Sequence, residues 1–153
     1  MRVYGVLSAL ALWLMLSACS STPPARSGSY GSPADVISNA KRAIGTPYRS
    51  GGSSESGYDC SGFVLAIYKQ SRGVSLPRTA EQQAAATQKI SHADLQAGDL
   101  VFFNTLHRSH SHVGIYAGNN QFIHSPNSGS SVRLEDIRQA YWSRRFDGAR
   151  RVL

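Results

Sequence analysis

Apolar residues along this chain change their spacing near its middle, and that change limits the folds open to it. Up to about residue 88 they recur three and four apart; from residue 100 they come in short runs separated by turn residues. Val36, Ile37, Ala40, Ala43 and Ile44 predict a helix over 33–44, with Pro33 in its first turn and Gly45 after its end. Phe63, Val64, Ile67 and Tyr68 predict a second helix, running from Asp59 or Cys60 to about Ser71 and entered through a glycine-bearing loop over 46–58. The Ala- and Gln-rich stretch 79–88 predicts a short third helix. Strands are predicted over 100–103, 113–117 and 121–124, the last two joined by a turn at Gly118-Asn119-Asn120. A further strand over 131–134, a helical turn over 135–141 and a closing strand over 146–152 complete the pattern. Helices first and an antiparallel sheet second make an α+β domain, with N-terminal helices packed on a small sheet.

The segment before residue 33 reads differently. Arg2 is followed by an apolar run over 6–16, broken only by Ser8, which is short for a membrane span and suits an export leader. It ends in Leu16-Ser17-Ala18-Cys19, which resembles the bacterial lipobox. That resemblance implies a signal peptide over 1–18 and a lipid on Cys19, with Ser20 implying outer-membrane sorting in a host with two membranes. Residues 20–32 are rich in Ser, Pro and Gly and read as a tether. The expected organisation is therefore a leader over 1–18, a tether over 19–32 carrying lipidated Cys19, and one domain over 33–153.

Export sharpens the meaning of the cysteines. The chain has two, Cys19 and Cys60. With Cys19 lipidated, no disulfide forms within the chain, and Cys60 is an unpaired thiol in an oxidising compartment, a liability unless it is used. Cys60 stands at a predicted loop-to-helix junction, where unpaired N–H groups favour a thiolate. Asp59 is the expected cap of that helix, and its charge opposes the thiolate. Gly62 is expected to let another backbone approach the helix start closely. A thiol nucleophile needs a base, and His112 and His124 end the two strands of the predicted hairpin. In a register centred near Gly118 they lie opposite each other on one face, a base and an orienting partner; a two-residue slip would leave them diagonal.

Ordered blocks carry a family resemblance. Asp59-Cys60-Ser61-Gly62-Phe63-Val64, Leu76-Pro77-Arg78-Thr79 with Gln82, Ala97-Gly98-Asp99-Leu100-Val101-Phe102-Phe103, His112-Val113-Gly114-Ile115-Tyr116 and Phe122-Ile123-His124 resemble the NlpC-type family of papain-like cell-wall cysteine endopeptidases. Thr46-Pro47-Tyr48 with Gly51-Gly52 resembles the segment upstream of the nucleophile, with one more residue between Tyr48 and the glycine pair than the family often has. The resemblance implies a papain-like fold, a catalytic triad of Cys60, His112 and His124, and Tyr48 beside the nucleophile as a helper for the oxyanion. The backbone of Cys60 or Ser61 is the further donor it implies. Arg78 either lines the substrate groove or pairs with an acid such as Asp99. The implied reaction is peptidoglycan hydrolysis within stem peptides or at cross-links, with no metal or organic cofactor.

Competing readings remain open at this point: a wall-binding lipoprotein with a dead site, or an amidase or acyltransferase using the same thiol. His107, His110 and His112 invite a zinc site, but the sequence offers no clear fourth ligand, and no metal is expected. The formal charge of +7 draws on Arg144, Arg145, Arg150 and Arg151 near the C-terminus. A nucleic-acid partner needs a cytosolic address, which the leader contradicts. The arginines are expected either to face an anionic wall or lipid headgroups or to guard an edge strand. The sequence names no protein regulator.

Overall fold

A computed structural model describes residues 31–153. The predicted leader and nearly all of the tether, Cys19 included, lie outside the described residues. Helix α1 spans Pro33–Arg42, followed by the small hairpin β1 (Ser53–Ser54) and β2 (Gly57–Tyr58), helix α2 (Cys60–Arg72) and helix α3 (Ala80–Ala85). Strands β3 (Gln88–Ile90), β4 (Leu100–Phe103), β5 (His112–Gly118), β6 (Gln121–His124) and β7 (Arg133–Asp136) come next, then helix α4 (Ala140–Ser143) and strand β8 (Phe146–Arg151). The six longer strands form one antiparallel sheet in the order β3-β8-β4-β5-β6-β7. Among the described residues no helix is long and apolar enough to cross a membrane.

Both sheet faces are covered, which explains why β4 is an unbroken apolar run, Leu-Val-Phe-Phe, rather than an alternation. Leu100 and Phe102 point into the layer formed with α1 and α2, beside Val36, Phe63, Val64 and Ile67. Val101 and Phe103 point the other way, into a smaller cluster with Tyr116, Phe122, Ile137 and Trp142. The α+β expectation therefore holds, with a second apolar layer added behind the sheet.

Local departures have identifiable causes. The third helix stops at Ala85 because Gln88–Ile90 is drawn into pairing with β8. The strand expected over 131–134 lies at Arg133–Asp136, so Glu135 and Asp136 leave the predicted helical turn and join the ladder with β6. The closing strand β8 runs between β3 and β4, so Arg150 and Arg151 sit on an interior strand rather than guarding an edge. Arg151 makes a two-pronged pair with Asp99 at 2.7–2.8 Å.

The β5–β6 register decides the site. Asn119 and Asn120 both adopt positive φ (52° and 60°), a two-residue turn whose twist suits a hairpin. That turn pairs Gly118 with Gln121, and an irregularity between Tyr116 and Gly118 then sets Ile115 against Ile123. The centre of pairing thus moves one residue beyond Gly118, and His112 and His124 are offset by two instead of facing directly. Extending the ladder by one residue puts Gly114 opposite His124.

Candidate active site

Helix α2 begins at Cys60 because Asp59 caps it. The Asp59 carboxylate accepts the Gly62 N–H at 2.7 Å, and its carbonyl accepts that of Phe63 at 2.9 Å. Among the described residues the N–H groups of Cys60 and Ser61 keep no backbone or side-chain oxygen partner; they face the Cys60 sulfur instead. Gly62 is required there: a Cβ would lie 1.9 Å from the Gly52 carbonyl oxygen. The loop thus packs backbone to backbone on the helix start, and the Asp59 N–H donates back to Gly52 at 3.0 Å.

The sulfur meets the sheet at the beginning of β5, where the Val113 N–H, next in chain to His112, points at it. Further ties hold loop and sheet together. The Ser125 hydroxyl, next after His124, donates to the Tyr58 carbonyl at 2.7 Å, two residues before Cys60. The Tyr48 N–H donates to Ser130 at 2.9 Å.

His112 and His124 are buried, 4% and 0% exposed. His112 Nε2 lies 2.8 Å from His124 Nδ1, and His124 Nε2 lies 2.5 Å from a Glu135 carboxylate oxygen. The register explains the line: each residue is diagonal to the next, stepping the same way across β5, β6 and β7. Opposite His124 there is no room for a side chain, since a Cβ on Gly114 would sit 2.8 Å from the Phe122 ring and 3.1 Å from the His124 Cβ. Trp142 covers both imidazoles, stacked on His112 (5.5 Å, 25°) and edge-on to His124 (4.9 Å, 89°).

Burial pushes the His112 pKa well below its ordinary value, and the neighbouring His124 adds to this. Burial lowers His124 as well, opposed by the bond and charge of Glu135. Burial pushes Glu135 up, but its bonds and charge contacts with His124 and Arg133 leave it below the usual carboxylate value, hence ionised at neutral pH. The Cys60 thiol is raised, first by burial and further by the Asp59 charge, while the N–H groups of Val113, Ser61 and Cys60 pull it back in part. Contrary to the expectation from the helix start alone, desolvation outweighs the helix-end donors. At rest Cys60 is a neutral thiol and His112 a neutral imidazole.

The remaining predicted residues fall around this centre. Tyr48 is half-buried within reach of the charges of Cys60 and Asp59; burial and those charges raise its pKa, so it stays a neutral donor. Arg78 pairs with Asp59, at 2.6 and 3.0 Å, and not with Asp99. It also donates to the Ser61 hydroxyl at 3.0 Å. That hydroxyl is therefore tied into the Asp59 network, and what Ser61 offers the site is its backbone N–H. His107, His110 and His112 do not converge. The His110 ring packs on Phe102, in the helix-side layer, while His112 lies under Trp142 behind the sheet.

Glu135 and Trp142 are absent from the sequence-based expectations. Glu135 was assigned to a helical turn; a strand read one repeat further along, with alternation from Arg133, would have put it on the His124 face. Beside His112 a cleft of about 420 Å³ opens, bordered by Leu106, Arg133, Glu135, Tyr141 and Trp142.

Helices α1, α2 and α3 on one face of an antiparallel sheet, with a thiol at a helix start against the strand that carries a buried imidazole, define a papain-like α+β domain. Solved structures agree. The chain is similar to a family protein from Bacillus cereus ATCC 10987, with TM-score 0.74, 35% identity and coverage of 80% of this chain and 40% of that one. It is also similar to the NlpC/p60 domain of the peptidoglycan hydrolase SagA, with TM-score 0.70, 35% identity and coverage of 79% and 99%. The chain belongs to the NlpC/P60 family, whose model matches residues 45–151. Among curated relatives, murein DD-endopeptidase MepH of Escherichia coli K12 is 44% identical over 122 residues, 77% of this chain and 45% of that protein. The E. coli K12 protein named murein DD-endopeptidase MepS/murein LD-carboxypeptidase is 43% identical over 109 residues, 71% of this chain and 57% of that protein. The chain thus spans about half the length of these curated relatives.

Proposed function

We propose that this chain is a thiol peptidase that hydrolyses peptide bonds in the stem peptides or cross-links of peptidoglycan. Cys60 is the nucleophile and His112 its base, with His124 and Glu135 orienting the base. The observation that carries this reading is the diagonal row His112–His124–Glu135, which begins at the strand end the Cys60 sulfur abuts. Relatives named as murein endopeptidases support the choice of substrate class.

The row supplies a directed base. An ionised carboxylate only accepts, so Glu135 takes the His124 Nε2–H. His124 Nδ1 then carries a lone pair and accepts the His112 Nε2–H, and His112 Nδ1 is left with a lone pair for the thiol. As a carbonyl carbon binds, Nδ1 takes the Sγ proton and the sulfur forms the C–S bond. The oxyanion is met by the Cys60 N–H and the Tyr48 hydroxyl. The tetrahedral intermediate collapses, the C–N bond breaks, and the amine leaves with the proton from Nδ1. Water then gives its proton to Nδ1 and attacks the thioester; the acid departs and the thiol is restored. The site's low exposure keeps the imidazole neutral, the form this sequence needs.

The leader and the Leu16-Ser17-Ala18-Cys19 motif support export and lipidation at Cys19, placing the domain on a tether in the cell envelope, with Ser20 favouring an outer membrane facing the periplasm. Incubation with purified sacculi, followed by mass analysis of released peptides, tests the activity. Wild type is expected to release stem-peptide fragments or uncoupled muropeptides, and Cys60→Ala to release none. Identical products from both, or none from either, would sink the reading.

A further inference from the structure

Resting on the peptidase reading, we propose that the cleft beside His112 receives the residue on the amine side of the cut bond, and that Arg133 binds a carboxylate carried by that residue.

Position comes first. The imidazole that returns a proton to the departing amine must face the departing half of the substrate. His112 forms part of the wall of the 420 Å³ cleft, a volume within the range of pockets that take small ligands and so with room for an amino-acid residue. The cleft is bordered by the exposed apolar groups Leu106 (61% exposed) and Tyr141 (48%), and by Trp142, whose ring stacks on His112. An apolar stem therefore finds contact there.

Charge comes second, and the two ionised groups of the cleft are not equally available. Both Glu135 oxygens are in use, Oε2 by His124 at 2.5 Å and Oε1 by Arg133 at 3.3 Å. Its charge is thus already offset by two partners before an ammonium could arrive, although each oxygen keeps a second lone pair. The Arg133 guanidinium offers five N–H donors, and among the described residues only Nη2 is engaged, by that same Oε1. Its side chain is 47% exposed and borders the cleft. The unfilled donors thus select an anion, and the planar fork suits a carboxylate. Arg133 is held on β7 opposite His124, on the face that carries the base, so its position relative to the reacting bond is set by the sheet and not by a loop.

Two peptide substrates that differ only in a free carboxylate or a carboxamide on the released residue test this. Wild type should favour the carboxylate in kcat/KM by roughly tenfold or more, in line with hydrogen bonds to charged groups. Arg133→Gln should erase the preference by losing far more rate on the carboxylate substrate than on the carboxamide, with KM rising. Equal cleavage of both substrates by wild type overturns the proposal. Equal loss on both in Arg133→Gln also overturns it, because Arg133 would then be acting through Glu135. Cleavage of neither by wild type removes the peptidase reading, and this proposal with it.

Discussion

His124 Nε2 and the Glu135 carboxylate stand 2.5 Å apart across the β6–β7 ladder, and this contact sets the direction of every proton in the row that ends at His112. Glutamine keeps the shape but adds donors. Its amide can donate to His124 Nε2, which reverses the row: His124 Nδ1–H then points at His112 Nε2, and His112 presents Nδ1–H to the sulfur instead of a lone pair. Glu135→Gln should therefore lower kcat by roughly 10–100-fold with KM nearly unchanged, a smaller loss than the ~10⁴ caused when an amide replaces the carboxylate touching a catalytic base directly. Steady-state kinetics on a soluble peptide reads this. A variant with wild-type kcat would remove Glu135 from the mechanism.

Gly114 tests the register itself. It stands opposite His124, and an added methyl would press on the Phe122 ring at 2.8 Å, the Ile123 carbonyl oxygen at 3.0 Å and the His124 Cβ at 3.1 Å. Two of these are anchored in a buried strand and have little room to yield. Gly114→Ala should cost about 1–3 kcal/mol of stability. It should also displace His124 from His112, so activity falls further than the fraction of folded protein does. Urea denaturation beside kcat/KM separates the two losses. Full specific activity of the folded fraction would mean that the imidazole contact is not needed.

How far the sequence carried the site follows from what each feature depends on. Cys60 at a capped helix start was legible because capping and the Gly62 approach are local chemistry, settled within a few residues. That His112 and His124 share a face was legible from strand parity. The two-residue offset was not, because it depends on a choice between neighbouring turns at Gly118-Asn119-Asn120, each compatible with the composition. Glu135 and Trp142 were out of reach for a related reason. Glu135 meets His124 only after β7 has paired with β6, and Trp142 covers the imidazoles from a four-residue helix too short to show periodicity. Strand β3, three residues with Gln and Lys, carries no pattern of its own and exists because β8 offers it an edge.

The pH response follows from the buried pair. In its proposed role as base His112 must be neutral, and burial lowers its pKa well below 6.5. The acid limb of kcat/KM should therefore lie below pH 6.5, and activity should persist where an exposed histidine would already be protonated. The same shift acts on stability. Between the folded and unfolded pKa values the unfolded chain takes up a proton that the folded chain does not, so stability is complete above about pH 6.5 and declines as pH falls toward the folded value. His124, also lowered, adds to the decline in the same window. Thermal melts from pH 8 to 5 should show a level Tm above 7 and a steady fall below 6.5. A Tm that rises on acidification through this range would contradict neutral, buried imidazoles.

Asp59 and Arg78 form one ion pair, yet replacing each should move the thiol in opposite directions. The Asp59 charge raises the Cys60 pKa, and Arg78, paired at 2.6 Å, offsets that charge. Arg78→Gln leaves the carboxylate uncompensated beside the sulfur, so the thiolate fraction falls and iodoacetamide should react several-fold more slowly at pH 8. Asp59→Asn removes the opposing charge and frees the guanidinium, while the Asn side-chain oxygen still accepts the Gly62 N–H and keeps the helix capped. Alkylation should then be several-fold faster. Stability distinguishes the variants little, since the Arg78 side chain is 40% exposed and a pair of that kind contributes roughly 0–1 kcal/mol. If the pair served only to fasten the loop to α2, both substitutions would loosen the same contact and change the alkylation rate in the same direction. Rate changes of opposite sign, measured as full pH profiles, identify Asp59 and Arg78 as charges that adjust, on top of burial, the thiol's readiness to ionise.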